Sequence, residues 1–445
     1  MRYTRFVTTP NAGILSRARS SGAWYLAALL VAPTLYDSTD RVAQDGGALG
    51  VLPWSLVALY SAAAFAVVCW VRYSSAAPWS PWMRGWLYLG VILWLFVLVS
   101  SFIQGQQAVG AAALVPLTYL LILIKRPSRE DCWRAADAFA WVLVAFSAFM
   151  LALEVAHVIP AWYAAHGQVG TDLLAFDQGN YWLPLRSLLG LEGRWGGMAG
   201  FPNIAGQVGA LLIVYGLVRP NGRRAAFVTS GIVTLLLTDS RTSFAAAAVG
   251  LLLIAALPGW GTRYWHMTPT RIFATCLGLA FALRVLVKIV LDPALTGRLA
   301  MWPQFLSLVR GFMPFGAGQR GIDAAISSGQ LPAWAHQGHN IFLDALVRHG
   351  VVGLLLTVGF MAIAIGLTVG QARRERGVGL ALVVALIVSC LGDLGVDWTY
   401  PSEGLSFLLV AVMVAQSETS DYRLAAASSK VATSTTSTPS ATPSD

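Results

Sequence analysis

The sequence predicts an all-α polytopic membrane protein of about a dozen spanning helices, from its composition, its apolar runs and its charge pattern. Hydrophobic residues fill 56% of the 445 positions and charged residues only 11%, with a mean hydropathy of +0.64. Soluble domains carry about 25% charged residues, so this chain has too few to cover a water-facing surface. Apolar runs near the bilayer-crossing length of roughly 17–25 residues recur along nearly the whole chain. Lipid offers the backbone no hydrogen-bond partner, so such runs fold as helices, and the alternating pattern of a membrane β-barrel is absent.

In order, the candidate spans are 22–36, 50–71, 85–104, 107–124, 138–160, 203–218, 225–239, 242–257, 272–291, 350–370, 378–396 and 403–417. The basic residues fall on alternate connections: Arg72 and Arg84; Lys125, Arg126, Arg129 and Arg134; Arg219, Arg223 and Arg224; Arg263 and Arg271; Arg373, Arg374 and Arg376. Arg2, Arg5, Arg17 and Arg19 precede the first span, and Arg423 and Lys430 follow the last. Positive residues stay in the cytoplasm, which sets both termini there. That bias accounts for the net charge of +9 without a nucleic-acid partner. The stretch from Gly22 to Tyr36 reads as a first span, because no small-residue cleavage site follows it. Cys69, Cys132, Cys276 and Cys390 form no CxxC pair and suggest neither a disulfide framework nor a zinc site.

The expected organisation is one transmembrane domain over 1–417 and a Ser/Thr/Pro-rich cytoplasmic tail over 418–445, whose composition predicts disorder. Two connections on the outer side are long, at approximately 161–202 and 292–340. The second precedes the tenth span and is too long for a structureless link, so it is expected to hold helices of its own. No internal repeat is evident, which weakens an inverted-repeat transporter reading.

Ten of the 30 cations run against the inside bias: Arg41, Arg186, Arg194, Arg241, Arg284, Lys288, Arg298, Arg310, Arg320 and Arg348. Arg241 stands at the outer junction of two spans, in Thr238-Asp239-Ser240-Arg241-Thr242. Arg284 and Lys288 are four apart and share one helix face, which must turn to the bundle interior or the outer interface. Snorkelling or pairing with Asp292 is the plainer role for Lys288. Guanidinium binds phosphate in two-pronged fashion, so arginines converging outside suggest an anionic, lipid-linked substrate with a diphosphate. No Walker A loop, GxGxxG turn or DxD-like pair is placed to serve an outer site, which disfavours nucleotide or metal chemistry, and no cofactor is expected.

His339 closes the second long loop where a helix begins, followed by Asn340. A histidine at the water–membrane boundary can serve as a general base, while a capping or hydrogen-bonding role is the plainer reading of its position. Asp393 and Asp397, four apart at the outer end of the eleventh span, can act as an acid/base pair, although neutralising nearby arginines is the simpler role.

Taken together, these segments resemble the O-antigen ligase/polymerase superfamily over roughly residues 190–396. His339-Asn340-Ile341-Phe342-Leu343-Asp344, followed by His349-Gly350-Val351-Val352-Gly353, resembles its His-Asn motif. Gly297-Arg298 with Trp302, Pro314-Phe315-Gly316-Ala317-Gly318 and Ser240-Arg241-Thr242 resemble its other elements. Gly193-Arg194 with Gly200-Phe201-Pro202-Asn203 resembles the segment before the preceding span. The resemblance implies a membrane glycosyltransferase of the polyprenol-dependent (GT-C) helical class in the bacterial inner membrane, with its active site on the periplasmic face. It implies O-antigen carried on undecaprenyl diphosphate as donor and a sugar hydroxyl of lipid A–core as acceptor. It carries Arg194, Arg241 and Arg298 over to the diphosphate from their motifs; His339 is placed to take the acceptor proton, and Asn340, Arg284 and Asp393 are candidates for supporting roles. A repeat-unit polymerase and a protein oligosaccharyltransferase share these motifs; the short tail after 417 favours the ligase over the latter. A non-catalytic lipid or polysaccharide transporter is the alternative from another class.

Overall fold

The computed structural model describes residues 21–36, 54–73, 78–103, 114–157, 189, 195–197, 201–219, 221–257, 268–291, 298–309, 314–332, 335, 337–370, 372, 377–392 and 402–416. Among them every regular element is a helix. The helices are α1 (Ser21–Tyr36), α2 (Trp54–Arg72), α3 (Pro81–Ile103), α4 (Leu114–Ile124), α5 (Arg129–Val155), α6 (Pro202–Gly216) and α7 (Asn221–Thr238). They continue as α8 (Arg241–Ala256), α9 (Pro269–Leu291), α10 (Arg298–Val309), α11 (Gly318–Ser327), α12 (Ile341–Val369), α13 (Val378–Gly392) and α14 (Glu403–Gln416).

Among the described residues four helices are long and apolar enough to cross a membrane: α3, α5, α9 over Pro269–Val290, and α12. The others are shorter apolar helices, and each predicted span overlaps one helix of the set. Together they make a multi-pass membrane protein. Among its described residues, the segment between α9 and α12 holds two helices, α10 and α11.

Two helices begin nine residues earlier than hydropathy places them, each because a polar cap starts it. Ser128 accepts the Asp131 N–H while Asp131 accepts the Ser128 N–H, a reciprocal cap that sets the start of α5 at Arg129 rather than 138. Asn340 Oδ1 accepts the N–H groups of Phe342 and Leu343, which starts α12 at Ile341 rather than 350.

Polar contacts at one end show which way many of the helices run. Tyr25 of α1 donates to the Lys125 carbonyl after α4, Lys125 donates to the Trp70 carbonyl near the end of α2, and Trp79 before α3 donates to the Ile122 carbonyl. Tyr73 accepts the Ser128 N–H and donates to the Arg126 carbonyl; burial and the nearby Asp131 carboxylate push its phenol pKa up, so it stays a donor. The buried Asp137 of α5 takes Tyr215, Arg219 and Arg223 from the α6–α7 junction, and Arg224 donates to Thr270 at the start of α9. Gln416 at the end of α14 donates to the Leu367 carbonyl near the end of α12. One end of the bundle therefore gathers the start of α1, the end of α14 and the described parts of the Arg-rich connections between them. Successive long helices run away from this basic rim and back.

Between the ends the packing is close. Gly209 of α6 faces Gly231 of α7 so tightly that an added Cβ on Gly231 would lie 2.5 Å from the Gly209 carbonyl. Small residues let backbones approach where lipid supplies no hydrophobic drive between helices. Trp86 of α3 stacks on Phe360 of α12 at 4.9 Å and donates to its carbonyl, which ties the first helices to the later ones.

Candidate active site

At the far end of the bundle the chain turns sharply between α7 and α8. Asp239 sits there at φ 48, a left-handed conformation that Asp tolerates better than most residues. Its side chain is 1% exposed and meets two cations from α9: Arg284 donates to both carboxylate oxygens at 3.0 and 3.3 Å, and Lys288 pairs with Oδ2. Lys288 also reaches the Asp239 carbonyl at 3.4 Å. The i,i+4 face of Arg284 and Lys288 thus turns inward onto a carboxylate from another helix. Asp292 lies outside the described residues.

Ser240 caps α8, accepting the Ser243 N–H, and Ser243 in turn reaches the Asn203 carbonyl of α6. Gly206 leaves room for this hydroxyl cluster, since a Cβ there would lie 2.8 Å from Ser243 Oγ and 2.9 Å from Thr238 Oγ1. Arg241 is the first residue of α8 and half-buried, so its charge adds to the unsatisfied N–H groups of the helix start. The buried Trp195 donates its backbone N–H to the Leu237 carbonyl at 3.1 Å, bringing the segment before α6 onto the same turn. Its sequence neighbour Arg194 lies outside the described residues, as does Asp393.

His339 occupies the turn before α12 at φ 49 and is half-buried. The residues on either side of it are held. Gly338 donates its N–H to Asp344 Oδ1 at 3.2 Å and accepts the Trp302 indole N–H of α10 at 3.0 Å. Asn340, besides capping α12, donates to the Leu391 carbonyl of α13 at 3.0 Å. Asp344 also pairs with Arg348 at 2.8 Å, and Arg348 donates to Gln319 of α11 at 2.6 Å. A chain of polar contacts therefore runs from α11 through α12 to the residue before His339. Arg298 opens α10; its side chain lies outside the described residues.

The Pro314–Gly318 loop closes on a break in α12. Gly350 takes φ 69 and ψ −167 inside that helix, and a Cβ there would lie 1.8 Å from the Pro314 carbonyl. Gly316, at φ 80, lies under the same break, where its Cβ would lie 2.5 Å from the Gly350 nitrogen. The Ala317 N–H donates to the Val347 carbonyl at 2.7 Å. Only glycine fits at either position, by conformation and by space. The buried His349 beside the break shares a hydrogen with Ser100 of α3 at 2.9 Å.

Arg241, Arg284, His339 and Asn340 thus stand at one end of the bundle, opposite the basic rim. Sequence reasoning passed over Asp239, Asp344 and Gln319. Asp239 carries a local signal, a lone carboxylate in a Ser/Thr-rich junction between apolar runs, but its partners lie 45 and 49 residues away. Among the described residues no group of His, Cys, Asp or Glu could hold a metal ion.

Residues 225–358 match the family model described as O-antigen ligase, and no curated protein matches the chain. The matched stretch starts in α7 and ends in α12. It takes in the Asp239 turn, Arg241, Arg284, Arg298, the Pro314–Gly318 loop, His339 and the Gly350 break, and leaves Arg194 and Asp393 outside. Residues 225–358, the stretch that builds this end of the bundle, are thus similar to the O-antigen ligase family model.

Proposed function

We propose that the protein is an O-antigen ligase, moving O-antigen polysaccharide from undecaprenyl diphosphate to a sugar hydroxyl of lipid A–core at the periplasmic face of the inner membrane. The observation that carries this reading is the joint placement of Arg241 and His339 at one end of the bundle within the family stretch. The alternating helix directions put that end opposite the basic rim, which the inside bias assigns to the cytoplasm. On this reading twelve helices cross the membrane and both termini are cytoplasmic.

In the reaction the acceptor hydroxyl oxygen forms a bond to the anomeric carbon while the bond from that carbon to the diphosphate oxygen breaks. The developing charge on the leaving diphosphate needs fixed positive partners. Arg241 at the start of α8 supplies one, with Arg298 and Arg194 assigned beside it by their motifs. Arg284 and Lys288 are engaged by Asp239, so we give them the task of holding the turn that aims Arg241. His339 takes the hydroxyl proton, its ring aimed by a backbone pinned on both sides. One direct displacement inverts the anomeric centre; a product of retained configuration would overturn that step.

The decisive experiment reconstitutes the purified protein with lipid-linked glycan and lipid A–core and scores glycosylated lipopolysaccharide. Growth of the lipid-linked chain instead would make the protein a repeat-unit polymerase, the second reading, which the shared family motifs support. Movement of glycan without a new glycosidic bond would make it a transporter.

A further inference from the structure

The basic rim holds a feature the transfer reaction does not use. Between the start of α3 and the end of α4 lies a cleft of about 390 Å³ lined by, among others, Trp79, Arg84, Tyr88, Leu120, Ile124 and Arg126. Its two walls have matched design. Arg84 and Tyr88 are four apart on α3, and Leu120 and Ile124 are four apart on α4, so each pair shares a helix face. Tyr88, Leu120 and Ile124 are 56%, 42% and 56% exposed, leaving an apolar surface that runs from the rim toward the middle of the bundle.

The rim of the cleft is positive and preorganised. Trp79 is buried and anchored through its indole N–H on the Ile122 carbonyl at 2.7 Å. The Arg126 guanidinium lies over its ring, 4.9 Å from the centroid, and donates to the Pro78 carbonyl at 3.2 Å. A guanidinium fixed this way keeps its charge and loses little freedom when it meets an anion. Arg84 brings a second cation from the other wall, and among the described residues no acidic side chain lines the cleft.

We propose that this cleft binds an anionic phospholipid, its phosphate between Arg84 and Arg126 and its acyl chains along Tyr88, Leu120 and Ile124. Two cations over an apolar slope fit a group that is charged at one end and hydrocarbon at the other. A soluble anion would leave the apolar walls uncovered, and a zwitterionic lipid would bring an ammonium toward the two guanidinium groups. The inference rests on the chain being a membrane protein and is independent of which glycan it transfers.

The test is native mass spectrometry of the full-length protein in detergent, titrated with phosphatidylglycerol and, separately, with phosphatidylcholine. Wild type should hold phosphatidylglycerol in preference. The double variant Arg84→Gln/Arg126→Gln should weaken that binding roughly 30-fold, the worth of two cations at a membrane surface. Arg84→Lys/Arg126→Lys should restore most of it. Arg129→Gln/Arg134→Gln removes an equal charge from the same rim outside the cleft and should leave binding unchanged, which separates a site from general attraction. Equal retention of the two lipids, an unchanged double variant, or displacement of the lipid by millimolar inorganic phosphate would each overturn the proposal.

Discussion

At the scale of single residues, Arg241 and His339 show how much of the proposed site rests on the sequence and where reading stopped. Both stand at junctions between apolar runs, and both lie in ordered motifs, so type and spacing were enough to single them out. His339→Ala should abolish transfer while the protein still inserts and folds, checked by product formation beside size-exclusion elution. Arg241→Lys keeps the charge and loses the fork, so a large fall in transfer with normal elution would support two-pronged phosphate contact. Asp239 was not legible, because nothing local says that its partners come from α9. Replacing Asp239 by Asn keeps the size and the tolerance for positive φ but leaves Arg284 and Lys288 facing an uncharged group. Removing one member of a buried pair costs about 3–5 kcal/mol, so thermal unfolding in detergent should shift well below wild type. Adding Lys288→Met should recover part of the loss, since it removes one uncompensated charge. An unchanged unfolding temperature in Asp239→Asn would show that the cluster does not hold the turn.

Among the elements, α12 carries the most information and was the least completely legible. Its apolar run was plain from 350 onward, yet the helix starts at Ile341, because Asn340 caps it and the polar residues Asp344, Arg348 and His349 are all buried. Hydropathy counts such residues as loop; packing buries them because each has a partner. Asp344 lies between Arg348 and the Gly338 N–H, so it acts on His339 through the backbone. Asp344→Ala should therefore lower kcat by about a hundredfold with little change in KM for the donor, as expected for a displaced reacting group. A rise in KM at constant kcat would instead place Asp344 in donor binding. Gly350→Ala has no such subtlety. The added carbon would overlap the Pro314 carbonyl, and the variant should fail to yield folded protein on size exclusion.

For the whole molecule, the charge pattern predicted that alternate connections share a side, and the contacts show those described meeting at one end. The sequence could do this because each connection advertises its side with arginine. It could not show that α10 and α11 brace the start of α12, since Trp302 meets Gly338 across 36 residues. The arrangement makes a topological prediction. In a cysteine-free background, Gln330→Cys should react with an impermeant maleimide in intact cells, and Glu130→Cys should react only after the membrane is opened. Both positions are exposed, and they lie on opposite ends of the bundle. The reverse labelling pattern would invert the orientation and move the candidate site to the cytoplasm.

The bond from the Ala317 amide to the Val347 carbonyl gives the loop a property that belongs to helices. In deuterated solvent most loop amides trade their protons quickly, but this one is shielded for as long as the bend at Gly350 keeps the two segments together. The Ala317 proton is therefore a clock for the opening of that joint, readable without substrate. Its exchange rate would report whether docking of a lipid-linked glycan tightens the joint or loosens it.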